Sequence, residues 1–123
     1  LVSHQETQTN TGSEATFALA DEWLKQCKAN HAICGSVSQS SQPWYPTRLL
    51  EVGPLGTVRL RMAEIDPPAG PYSSLSHCWG SAVFLELTLQ NIELLKVDFS
   101  PSILSKTFQD AIVITQKLGV KYI

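Results

Sequence analysis

Three prolines in five residues, Pro67-Pro68-Ala69-Gly70-Pro71, divide the chain more sharply than any other stretch. Proline lacks a backbone N–H and holds φ near −65°, so neither a sheet ladder nor a helix can run through this segment. It has to connect two elements. The residues before it read as a hairpin: Leu50 and Val52 alternate with Glu51, and Val58, Leu60 and Met62 alternate with Arg59 and Arg61. Gly53-Pro54-Leu55-Gly56 supplies the turn. Alternation of this kind predicts one buried face and one wet face, the latter carrying Glu51, Arg59 and Arg61, at the edge of a sheet. The residues after the connector, Tyr72 to His77, read as a buried strand. A hydroxyl, an imidazole, a thiol, an indole and a glycine (Ser76, His77, Cys78, Trp79, Gly80) then follow where that strand would end. Ligands of open α/β sheets collect just beyond strand carboxyl ends, so this corner is either a site or a packed turn of the core.

The remaining elements fall around these. Residues 1–14 are polar, rich in Gln, Thr, Asn and Ser, and predict a flexible arm. Phe17, Ala20, Trp23, Leu24 and Cys27 share one helical face, with Ser13 or Thr16 as cap and Gly35 as the stop after His31 and Cys34. Ser36 to Pro46 is a Ser- and Gln-rich loop. The reading is thus an arm over 1–14, a helix and loop over 15–45, and a core domain over 46–123. Within that domain, 81–87 is a loop or short strand, and Thr88 caps a short helix from Leu89 to Lys96. The clearest helix is Lys106 to Leu118, with Phe108, Ala111, Ile112, Thr115 and Leu118 in one stripe, Ser105 as N-cap and Gly119 as stop. Val120 to Ile123 begins a further strand. Strand, helix and strand in that order predict a right-handed parallel crossover, so the expected fold class is α/β with a small mixed sheet.

Tyr72-x-x-Leu75-Ser76-His77-Cys78-Trp79-Gly80 resembles the signature of the fungal heterokaryon incompatibility (HET) domain. Pro46-Thr47-Arg48-Leu49-Leu50 is similar to the entry motif of that family, and Leu87-Thr88 with Asn91 to its middle motif. Lys106-Thr107-Phe108-Gln109-Asp110-Ala111-Ile112, followed by Thr115, Leu118-Gly119 and Tyr122, is similar to its helix motif. Ser105 stands where the family usually has proline. The chain stops at Ile123, where the family continues into a Trp-Ile-Asp segment, so the resemblance implies a domain cut short. It also implies a TIR- or flavodoxin-like sheet, and a role in non-self recognition that ends in cell death.

Among residues that can carry chemistry, Cys27, His31 and Cys34 form C-x3-H-x2-C, three soft ligands that His77 or Cys78 could complete to a zinc tetrahedron. Spacings of four and three are equally those of a helical stripe continuing from Trp23 and Leu24, and plain packing is the simpler account. His77 and Cys78 are strand neighbours and point to opposite faces, so they cannot form a dyad with each other. Ser76 lacks the G-x-S-x-G elbow. His77 is expected to tie down a backbone group, Cys78 to pack in the core, Trp79 to be an apolar anchor, and Gly80 to permit the turn. Asp110 fits the dipole at a helix N-terminal turn, and Lys106 with Arg48 can meet an anion.

Composition removes some functions. The formal charge of −2 and nine scattered basic residues give no electrostatic case for nucleic acid. No apolar run reaches the ~18–20 residues of a membrane span. Three cysteines cannot all pair within the chain, and without a secretory signal they predict reduced thiols and a cytoplasmic protein. Two functions from different classes follow. One is an interaction and signalling module that works through protein partners or self-association and needs no cofactor. The other, by analogy with TIR-like folds, is an NAD hydrolase, for which no glutamate here can be matched to the catalytic role. An inactive fragment is the third possibility.

Overall fold

The structure is a computed structural model and describes residues 10–36 and 43–123. The arm expected over 1–14 falls mainly on residues 1–9, and the Ser- and Gln-rich loop mainly on residues 37–42. Both stretches lie outside the described residues. The chain divides into two units, Leu1–Pro43 and Trp44–Ile123.

In the first unit, α1 spans Glu14–Asn30. Ser13 starts it from an extended conformation, and its hydroxyl accepts from the Thr16 amide at 3.3 Å. Glu14 in the first turn and Lys28 in the last suit the helix dipole. The apolar stripe is only half covered: Phe17, Ala20, Leu24 and Cys27 are half-buried, while Trp23 stays exposed. The helix does not run on to Gly35. It stops at His31, which is extended at φ −107° and ψ 110°, and a separate short helix α2 follows over Ala32–Ser36.

The second unit is built on a hairpin. β1 (Arg48–Val52) and β2 (Val58–Met62) pair antiparallel, Leu50 opposite Leu60 and Glu51 opposite Arg59. Gly56 at φ +77° provides the left-handed turn position that a side chain would strain. One face of the hairpin carries the core of Val52, Val58 and Ile112, with Leu50, Phe99, Leu104 and Ile123 packed against it. Ile112 comes from α4, Lys106–Lys117, which buries Ala111, Ile112 and Thr115 as its stripe requires. Ser105 occupies the N-cap position, although its side chain makes no capping hydrogen bond. α4 ends in a Schellman motif: Gly119 is left-handed at φ +68°, its amide donates to the Gln116 carbonyl, and the Val120 amide donates to the Thr115 carbonyl. Between hairpin and α4 lie the short helix α3, Ile92–Leu95, and a 3-10 turn at Pro101–Ile103.

Both edges of the hairpin are covered by short contacts. Val58 and Phe99 exchange hydrogen bonds at 3.0 and 2.9 Å on the β2 side. On the β1 side, Leu50 and Ile123 exchange bonds at 2.7 and 3.0 Å, and the Val52 amide donates to Lys121 at 2.8 Å. Lys121–Ile123 therefore returns antiparallel to β1. The proline connector is tied on both sides by tyrosine hydroxyls: Tyr45 donates to the Gly70 carbonyl at 2.9 Å, and the Ala69 amide donates to the Tyr122 hydroxyl at 3.3 Å.

The mixed sheet with a parallel crossover is not found, and with it goes the TIR- or flavodoxin-like expectation. The described residues hold a two-stranded antiparallel hairpin plus helices. Tyr72 makes one isolated parallel bridge to Tyr122, with the Ser73 amide donating to the Tyr122 carbonyl, and the pairing goes no further. The composition of the segment explains this. An inner parallel strand is covered on both faces and needs a nearly continuous apolar run. Tyr72–His77 offers Ser73, Ser74 and Ser76 instead, and residues 74–76 are exposed.

The hairpin face expected to be wet is also different. Glu51 is only 5% exposed. Its Oε2 accepts from Arg59 Nε at 2.7 Å and from Arg61 Nη2 at 2.5 Å, and its Oε1 pairs with Lys121 Nζ at 2.9 Å. The Tyr122 ring lies beside the same cations, 5.7 Å from the Arg61 guanidinium. Burial pushes the Glu51 carboxyl up, but hydrogen bonds from Lys121, Arg61 and Arg59 outweigh it and hold the pKa at about 2, against an ordinary 4.5. A carboxyl depressed in the folded state stabilises above its unfolded pKa, and that stability disappears as pH falls through the folded value. The difference corresponds to roughly 3 kcal/mol. Urea denaturation across pH should therefore show stability falling between pH 4.5 and 2. Glu51→Gln should lose roughly 3 kcal/mol at neutral pH and show a flatter acid profile.

Candidate functional site

The corner after the proline connector and the start of α4 meet at one ring. His77 is half-buried and packs edge-on against Phe108, ring centroids 5.0 Å apart at 87°. Trp79 stacks at a tilt on the other side, 5.2 Å away. Phe84 closes the group, 5.3 Å from Trp79 and 5.6 Å from Phe108 in a second edge contact. Edge-to-face and tilted arrangements at these distances are those the aromatic quadrupole favours. The sequence brings the rings together by simple means. His77 and Trp79 lie two residues apart on an extended segment, so both can face the helix. Gly80, at φ +61°, then turns the chain so that Phe84 comes back toward it.

Beneath this cluster an apolar cavity of about 340 Å³ opens against the hairpin. Leu50 and Leu60 from the two strands, Phe108 and Ala111 from α4, and Leu75 and Leu85 from the loops all line it. The other lining residues are apolar too, except His77. The His77 Nε2 is buried without a hydrogen-bond partner. A buried nitrogen left unpaired costs about 1–3 kcal/mol. The geometry is an apolar groove, suited to an apolar side chain or small apolar group.

Cys78 and Trp79 do not behave as the sequence predicts. Cys78 is exposed and does not pack in the core. Trp79 touches the His77 and Phe84 rings but remains 65% exposed. Ser76 is exposed. In the helix motif, Phe108 is the residue that reaches the groove. Lys106 pairs with Asp110 one turn on, both exposed, and Thr107 is exposed. Leu85 and Leu87 line the groove without a sequence signal, because 81–87 has no periodicity to read. Glu51 was missed as a buried ion, although the Arg-x-Arg of β2 facing it across the turn was a usable signal.

A second grouping lies in the first unit. Cys27 Sγ and His31 Nδ1 are 3.4 Å apart, and with Cys34 Sγ these atoms all lie within 4.8 Å of one another. The hydrogen bond to Cys34 raises the Cys27 thiol above its ordinary pKa, with burial adding to it. All three cysteines are free thiols. His77 and Cys78, considered as fourth ligands from the sequence, belong to the second unit.

Residues 72–123 match the model of one protein family, Heterokaryon incompatibility protein (HET). The match begins at the corner and takes in α4 and the segment along β1. The entry block Pro46–Leu50 falls outside it. No curated protein and no solved structure matches the chain significantly. No described helix is long and apolar enough to cross a membrane.

Two substitutions separate the polar defect from the packing. His77→Phe keeps a ring against Phe108 and removes the unpartnered nitrogen, so it should leave stability unchanged or raise it by about 1 kcal/mol. Phe108→Ala removes two edge contacts and deepens the cavity, and should lower stability by roughly 2–3 kcal/mol. Urea denaturation of the two variants beside the parent checks both.

Proposed function

From the match of residues 72–123 to the heterokaryon incompatibility (HET) family model, we propose that the chain acts in non-self recognition as an interaction and signalling module whose assembly with protein partners leads to cell death. The observation that carries this reading is the meeting of the family's corner and helix motifs at the His77–Phe108 contact. The rings converge on an open apolar groove, and the residues around them form no nucleophile–base pair. That is the chemistry of a surface that receives a side chain. The aromatic rim, with Trp79 largely exposed, is of the residue type enriched where proteins bind one another. The cytoplasm is the compartment that fits, given three free thiols. The nucleotide-hydrolase alternative rested on a flavodoxin-like sheet, and the described residues do not form one.

The test is inducible expression of the chain in a filamentous fungus, fused to a domain that dimerises on addition of a small molecule. Forced assembly should arrest growth and kill hyphae. Trp79→Ala and His77→Phe, which leave the core intact, should reduce killing by at least about ten-fold at equal protein level, since each changes the groove wall or rim. Undiminished killing by both folded variants would remove the groove from the mechanism. A fall in cellular NAD ahead of growth arrest would replace the interaction reading with an enzymatic one.

A further inference from the structure

We propose that Cys27, His31 and Cys34 form a zinc site that clasps α2 onto α1. In an uninterrupted helix these residues would not converge. A rise of 1.5 Å per residue puts positions 27 and 34 about 10 Å apart along the axis. The chain instead breaks at His31, whose amide still donates to the Cys27 carbonyl at 3.1 Å, and α2 folds back. Gly35 makes the fold possible: a Cβ there would sit 2.8 Å from the Lys28 carbonyl oxygen, a distance no side chain tolerates. The result is two thiols and an imidazole whose ligand atoms all lie within 4.8 Å of one another.

Those spacings suit a tetrahedral ion. With Zn–S near 2.3 Å and Zn–N near 2.0 Å, the edges of the tetrahedron are about 3.5–3.8 Å. The Cys27–His31 edge is already 3.4 Å. Two thiolates and a neutral imidazole balance the charge of Zn²⁺, and soft donors of this kind select it over hard cations. Packing does not explain the convergence, because His31 and Cys34 are exposed and Cys27 is only half-buried. Neither α1 nor α2 contains a buried residue. Small elements without a core commonly depend on such a staple. Three protein donors leave the fourth position to solvent or an incoming donor.

The experiment uses the full chain, purified under reducing conditions without chelator and then loaded with zinc and dialysed. One zinc per chain is expected by atomic emission. Titration with Co²⁺ should give the visible bands of a tetrahedral site together with thiolate charge-transfer absorption. Cys27→Ser, Cys34→Ser and His31→Ala should each weaken Co²⁺ binding by at least about ten-fold. Cys78→Ser should leave it unchanged, and circular dichroism should confirm that the variants remain helical. Gly35→Val should weaken binding without removing a ligand, which separates the fold-back from the donors. Zinc below about a tenth per chain after loading would overturn the proposal. So would stoichiometric zinc retained by the Cys27→Ser/Cys34→Ser double variant, or a Cys27–Cys34 disulfide in protein quenched with alkylating agent at lysis.

Discussion

The second unit depends on one buried carboxylate. Glu51 sits in the middle of β1 with Arg59 and Arg61 reaching it from β2 and Lys121 from the segment after α4. A lone buried carboxylate is expensive, and three cations with hydrogen-bonding geometry make this one tolerable. The arrangement also fixes position. Lys121 is held to β1, so Tyr122 and Ile123 lie alongside it, and the exit of α4 is anchored to the hairpin. The entry of α4, with Phe108 three residues in, is then placed against His77. Electrostatics on one face of the hairpin thus sets the aromatic contact on the other side of the fold.

The parts of this architecture that the sequence revealed are those with a repeating signal. The hairpin showed itself through alternation and a glycine-flanked turn, and its register follows. α4 showed itself through a five-residue stripe and Gly119, which adopts the expected left-handed stop. What alternation could not reveal was which polar residues face water. Glu51, Arg59 and Arg61 share a face by parity, and parity alone does not distinguish a solvated face from one that buries an ion cluster. The Arg-x-Arg opposite a single glutamate was the available hint. The strand read at Tyr72–His77 failed for a different reason. A motif with a familiar composition was given the length of a strand, although its serines could not fill two covered faces. Family resemblance picked out the corner and the helix motif as sequence blocks, and the sheet it implied did not appear.

The Cys27-His31-Cys34 spacing shows the same limit from the other direction. Intervals of four and three fit a helical stripe, and nothing in the sequence announces that the helix breaks at the middle residue. The break is visible only as an extended His31 and a glycine whose missing side chain lets one helix lie against the other. Residue types carried the chemistry here, and backbone conformation decided whether they could act together.

The proline connector has a mechanical consequence. Its prolines hold their φ angles, Pro68 is buried, and tyrosine hydroxyls tie its Ala69 amide and Gly70 carbonyl. Such a strut loses little freedom on folding and has few ways to deform. The segment that leaves it, and that carries Leu75 and His77 into the groove wall, therefore starts from a fixed point. The stretch 81–87, which adds Leu85 and Leu87 to the wall, contains no regular element and leaves both partly open to solvent. Any widening of the groove to admit a guest is taken up most easily by that compliant stretch, while the hairpin and α4 hold the rest of the wall.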